Sequence, residues 1–139
     1  MKCTAIPPGH VSNVFADVKP YFDKAVARTR GRLVTDDLLR QVLVGESQLW
    51  VAFDDEQENK IKGIVVTTIK NYPHKRMVDM TFCAGEQLDS WCDLVFNLVE
   101  EWAINNNLDG MEFVGRAGWR KVLAKHGMRE TYRLFEKEY

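Results

Sequence analysis

Two acidic residues sit where a strand pattern gives each a fixed direction. Asp79 lies in RMVDMTFCA (76–84), where Val78, Met80 and Phe82 alternate with Asp79, Thr81 and Cys83. Period-two alternation places Asp79 on the face opposite Met80. Glu112 holds a similar place in GMEFV (110–114). A carboxylate held on a strand can serve as a general base if its surroundings bring its pKa toward the working pH. The same placement suits a solvent-facing carboxylate, or one paired with lysine or arginine. Arg116 follows Gly115 at a strand-to-helix corner in GRAGW (115–119). Open sheets bind ligands at such corners, and a guanidinium there can grip a phosphate or carboxylate with two hydrogen bonds; it can equally pair with Glu112. Trp119 stands beside it in the first helical turn.

Other residue types exclude chemistry. His10, His74 and His126 have no metal-ligand spacing, so no metal site is expected. Cys3, Cys83 and Cys92 are odd in number and lack CxxC spacing, which fits free thiols in a reducing compartment, the cytoplasm by default. A formal net charge of −1 gives no general pull toward nucleic acid or an anionic membrane. Arg28, Arg30 and Arg32 form the one dense basic run, without the interleaved aromatics of a nucleic-acid surface, and read as a solvated corner. No apolar run approaches the roughly 20 residues of a membrane span, and MKCTAIPPGH lacks an export signal. At 139 residues, 45% hydrophobic and 28% charged, residues 1–139 form one folded domain.

The elements that must position these residues read as follows. Residues 3–7 suit a short strand stopped by Pro7-Pro8-Gly9. From Ser12 to Thr29, Phe15, Val18, Phe22, Ala25 and Val26 recur at helical steps, with a kink or restart expected at Pro20. A second helix starts with Thr35 or Asp36 as cap and closes at Gly45. QLWVAF (48–53) and KGIVVTTI (62–69) form a hairpin, NYPHK (71–75) a loop, and 76–84 a third strand. Trp50 reads as half-buried. Trp91, Leu94, Val95, Leu98, Val99 and Trp102 draw the longest helical stripe, roughly Asp89 to Asn106. Residues 110–114 are a short strand, 116–126 a helix stopped by Gly127, and Met128 to Tyr139 a last strand. A long helix between two strands implies a crossover and a locally parallel pair. The order β-α-α-β-β-β-α-β-α-β is an α+β fold, a mixed, mostly antiparallel sheet with helices on both faces.

That order at this length resembles the GNAT superfamily of N-acetyltransferases. KVLAKHGM before a terminal strand resembles the family's last helix, and AG…W with GRxGW resembles GNAT-like proteins of tailed phages and prophages. The resemblance implies acetyl-CoA lying where two parallel strands splay, its pantetheine arm along the strand before the long helix. It implies pyrophosphate on backbone amides at that helix's start, where unpaired N–H groups and the helix dipole attract an anion. It also implies a base for the acceptor amine, Asp79 or Glu112, and a tyrosine acid on the last helix. Carried onto this chain, the cofactor residues are Phe82, Cys83, Ala84, Gly85, Gln87, Leu88, Asp89, Ser90 and Trp91, with Arg116 and Trp119 toward the substrate. The sequence departs from the pattern in two places. The loop AGEQLDSW keeps one early glycine and places Glu86, Asp89 and Trp91 where pyrophosphate would land, and the tyrosine position holds Leu123.

Three functions follow. One is an acyl-CoA-dependent N-acyltransferase acting on a small-molecule or protein amine, with a divergent loop. Another is a GNAT-shaped phage structural or assembly component, in the host cytoplasm or the virion, that binds a protein partner or a second copy. The third is a regulator binding a small ligand in the relict cleft. A real splay between 76–84 and 110–114, with free amides at 86–91, favours the first. A cleft plugged by Trp91 or by the last helix favours the second.

Overall fold

In the computed structural model, which describes residues 1–139, five strands form one sheet in chain order. They are β1 (Lys2–Ile6), β2 (Gln48–Asp54), β3 (Lys60–Asn71), β4 (Arg76–Gly85) and β5 (Gly110–Glu112). The first three junctions are antiparallel and β4–β5 is parallel. Helix α1 (Val11–Ala27) and α2 (Thr35–Leu43) cover one face, α3 (Cys92–Asn105) and the short α4 (Arg120–Lys125) the other. The α+β architecture is the one the patterning implies.

Each face of the sheet makes its own core. Val18, Phe22 and Leu38 of α1 and α2 pack on Leu49, Val51, Ile64 and Val66. Val95, Phe96 and Val99 of α3 pack on Trp50, Val65, Val78 and Met80. Alternation along β2 and β3 therefore feeds two apolar layers, which is why both strands read as nearly continuous apolar runs. Trp50 is wholly buried rather than half-buried, its indole N–H donating to the Thr67 hydroxyl at 2.9 Å.

Several boundaries differ from the expected ones. Helix α1 runs through Pro20 without a break, because Val18, Tyr21, Phe22 and Ala25 are all buried and hold it straight. The cap of α2 is Val34, whose N–H donates to the Asp37 carboxylate at 2.9 Å, while the Thr35 hydroxyl is turned to Asp23. A 3-10 turn at Leu88–Ser90 precedes α3, and another at Ala117–Trp119 precedes α4. Gly127 stops α4 with φ of 74° as expected, the Met128 amide returning to Leu123.

Two differences matter for the site. Strand β4 does not alternate cleanly: Val66 opposes Phe82 and Thr67 opposes Met80, so Thr81 is an extra, bulged residue. Phe82 and Ala84 consequently join the α1–α2 face, whereas Val78 and Met80 stay on the α3 face. The expected strand over Met128–Tyr139 does not form. Residues 129–139 make no backbone–backbone hydrogen bond at all. A strand exists only by pairing, and the neighbouring edge, β5, is three residues long.

Because Pro20 is exposed and removes one helical hydrogen bond, Pro20→Ala should raise the unfolding free energy by up to about 3 kcal/mol. Denaturant unfolding reads this; no gain would show that the Ala16 carbonyl is already satisfied by another donor.

Candidate active site

The site begins where the sheet stops being a sheet. Strands β4 and β5 pair at Met77↔Gly110, Val78↔Met111 and Asp79↔Glu112, and no further. Beyond that pair β4 continues to Gly85, while the other chain turns away toward α4. The gap is a cleft of about 550 Å³. Its walls are Cys83, Ala84 and Gly85 from β4, Leu88 and Asp89 from the following turn, and Arg116, Gly118, Trp119 and Val122 from the α4 corner. Arg28, at the end of α1, completes it. Thus Cys83, Ala84, Gly85, Leu88, Asp89, Arg116 and Trp119 of the expected set meet in one place.

The remaining loop residues have other duties. Phe82 packs into the α1–α2 core. The Ser90 hydroxyl donates to the Gln87 carbonyl at 2.6 Å, closing the turn. Trp91 neither binds in the cleft nor plugs it. It is 1% exposed, and its indole N–H donates to the Glu86 carbonyl at 2.8 Å, pinning the loop from beneath. The ring lies against two glycines: a Cβ on Gly85 would come within 2.9 Å of it and closer still to the Gly63 backbone. Gly63 and Gly85 are opposed in the β3–β4 register, so the pair forms a slot that only glycines leave open.

Amides at 86–91 are not all open. Those of Glu86, Ser90 and Trp91 donate to Lys62, Gln87 and Leu88. Gln87, at a left-handed φ of 53°, donates to no carbonyl. The Glu86 side chain is not on the cleft wall; its charge reaches Tyr21 of α1, whose phenol burial pushes up first and Glu86 further. The acidic crowding expected of the loop therefore reduces to Asp89, faced by Arg28 and Arg116. Arg28 was legible only as part of a basic run; it caps α1 and lines the cleft, whereas Arg30 and Arg32, on the loop beyond, meet Glu136.

Asp79 and Glu112 stand side by side at the root of the splay. Asp79 is 5% exposed. One oxygen meets the Lys70 ammonium at 3.0 Å, which holds that lysine protonated, while its other oxygen, Oδ1, has no partner. Glu112 accepts from the Tyr72 hydroxyl at 2.8 Å, and this hydrogen bond pushes the phenol up. Ser47, Thr68 and Thr81 join by hydroxyl contacts of 2.9 and 3.2 Å, extending the group into a polar platform on the α1–α2 face. Lys70 and Tyr72 carried no signal in the sequence, since their partners are brought in by strand pairing.

The α4 side supplies walls rather than acids. Trp119 packs on Phe113 with ring centroids 5.0 Å apart. His126 stacks on Phe96 and meets Asp93 at 2.8 Å, tying α4 to α3. Leu123 packs into the α3-side core and does not line the cleft. Burial pushes the Cys83 thiol up to about 12, with Cys92 adding and Arg28 opposing, so it stays protonated and inert. No group of histidine, cysteine and carboxylate side chains is arranged to hold a metal, and no helix is long and apolar enough to cross a membrane.

Solved structures of the same architecture were found by comparison. A probable acetyltransferase superposes with a TM-score of 0.75 at 18% identity over the whole of both chains. The fold is that of the GNAT acetyltransferases. An aminoglycoside acetyltransferase from an uncultured soil metagenomic sample matches with a TM-score of 0.72 and 12% identity, covering 99% of this chain and 97% of that one. A predicted acetyltransferase from Clostridium acetobutylicum, described with acetyl-CoA, matches with a TM-score of 0.64 and 14% identity, covering 99% and 95%. No protein-family model and no curated protein matches the chain. Within this GNAT fold, the cleft and the polar platform are the two sides of the β4–β5 splay.

If Trp91 holds the loop, Trp91→Ala should destabilise the protein by about 3–5 kcal/mol and deprotect the Glu86 and Trp91 amides in hydrogen exchange. Loss of stability with the loop amides still protected would contradict that role.

Proposed function

We propose that the chain is an acyl-CoA-dependent N-acyltransferase whose anion site is built from arginines in place of a glycine-rich loop. One observation carries the reading. The β4–β5 splay opens into a cleft walled by Arg28 and Arg116, with a buried carboxylate oxygen at its root that nothing in the protein satisfies.

The residues fit acetyl-CoA, the molecule described with the Clostridium acetobutylicum structure. Two guanidiniums against one carboxylate leave the wall net positive, suited to a diphosphate. The Gln87 amide adds a free donor, and the first turn of α3 lies behind it. Cys83, Ala84 and Gly85 offer β4's unpaired edge to a pantetheine arm. Bound there, acetyl-CoA supplies an activated acyl group. The acceptor amine belongs on the platform, where Asp79 Oδ1 is the free site for its proton, with Lys70 fixing the carboxylate's other oxygen. Tyr72 holds Glu112 in place beside it. The cleft wall has no tyrosine, so solvent is the proton source for the leaving group. Three free thiols suit a reducing compartment such as the cytoplasm.

A second reading, a non-catalytic phage structural or assembly component binding a protein or a second copy, draws on the exposed Tyr132, Leu134, Phe135 and Tyr139.

Calorimetric titration with acetyl-CoA distinguishes the two. The transferase reading expects micromolar binding that weakens with salt, and Arg28→Ala or Arg116→Ala should each weaken it about tenfold or more. Asp89→Asn should tighten it. No heat and no thermal shift at millimolar ligand would end the transferase reading. Once an acceptor amine is found, Asp79→Asn should lower turnover by about two orders of magnitude or more while leaving acetyl-CoA affinity intact; an unchanged rate would remove Asp79 from the chemistry.

A further inference from the structure

We propose that residues 129–139 are a strap drawn across the acceptor side of the cleft and latched by Glu136 between Arg30 and Arg32. This inference rests on the reading of the polar platform as the acceptor side.

The segment makes no backbone–backbone hydrogen bond. Side-chain ion pairs hold it to the rest of the chain, at two places. Glu130 is gripped at its start by Arg120 at 2.6 Å and Arg133 at 2.9 Å. The Glu112 hydrogen bond pushes the Tyr72 phenol up, and Tyr132, from farther off, adds to that shift. Arg30 and Arg32 then each take one oxygen of Glu136.

These anchors define a path. Glu130 is tied to Arg120 at the start of α4, the corner that walls the cleft. Six residues later, a reach of at most about 21 Å, Glu136 sits on the loop between α1 and α2. The same loop begins at Arg28, on the cleft wall. The segment therefore bridges the two walls of the splay, from the α4 corner to the loop bordering the α1–α2 face, the face that carries Asp79 and the platform hydroxyls.

The latch has a shaped seat. Arg30 and Gly31 both have positive φ, 58° and 83°. A left-handed arginine is an uncommon conformation that its surroundings must hold. Here the reversal leaves Arg30 and Arg32 on one carboxylate. A segment held by exposed ion pairs, with no ladder beneath it, opens far more easily than a strand and does so more readily in salt. That is the property an entrance cover needs.

Carboxylate footprinting of the full chain tests this. Carbodiimide with glycine ethyl ester labels accessible carboxylates, and mass spectrometry reads each one. In Glu136→Gln, and separately in Arg30→Ala/Arg32→Ala, labelling of Asp79 and Glu112 should rise several-fold. Exposed Asp17 on α1 should label equally throughout, and the melting temperature should hold. If exchange of the 129–139 amides rises but Asp79 and Glu112 label no faster, the segment covers nothing and the proposal falls. If neither changes, Glu136 is not the latch and the proposal falls too. Protection that disappears on dilution would assign the cover to a second copy instead. None of these readouts uses acetyl-CoA, so absent cofactor binding and an absent strap are separate results.

Discussion

The protein's site depends on a parting of two strands. Parallel pairing of β4 and β5 ends at Asp79↔Glu112, and the bulge at Thr81 falls just past that point. A bulge bends its strand and adds twist, so β4 swings off the line that β5 would need to follow. One side of β4 from Met80 onward is left without a neighbour, and an unpaired strand edge must find other partners. Keeping such an edge open requires something rigid beneath it. Trp91 supplies this by filling the slot over Gly63 and Gly85 and by pinning the Glu86 carbonyl. The tryptophan that looks out of place in an anion-binding loop is thus the support for the loop.

On the transferase reading, the same geometry lets a loop with one glycine and two carboxylates face an anion. Glu86 does not line the wall. Asp89 stays, outnumbered by Arg28 and Arg116. Guanidiniums differ from backbone amides in consequence as well as in kind. They hold full charge at any working pH, so attraction is stronger at distance and more sensitive to salt. They also sit on side chains that must be ordered on binding, whereas an amide in a turn is fixed already.

What was legible in the sequence follows from which interactions are local. The α3 stripe from Trp91 to Trp102 and the runs in β2 and β3 declared themselves because burial imposes a period. The β4 bulge did not: Val78, Met80 and Phe82 alternate on paper, and only the register against β3 shows that Phe82 faces the other way. Pro20 warned of a break that four buried neighbours prevent. The last segment has strand-like composition but only the three-residue edge of β5 beside it, and composition cannot report how short a partner is. Asp79 could be named from its place on a strand, yet Lys70 could not, because antiparallel pairing of β3 with β4 brings them together.

Asp79 also argues against reading the cleft as shape alone. The solved structures share this fold at 18% identity or less, so the architecture needs little beyond two apolar layers and a few small residues. Nothing in those requirements calls for a buried carboxylate. A structural one would have both oxygens satisfied, because leaving a buried acceptor unpaired costs roughly 1–3 kcal/mol, more when charged. Here Lys70 satisfies one oxygen and the other is left bare, on a platform whose remaining members are hydroxyls, a phenol and a second carboxylate. An apolar residue at 79 would pack against the sheet without that penalty. On the transferase reading, a carboxylate at the point where the strands part is placed to meet a donor arriving from outside the chain.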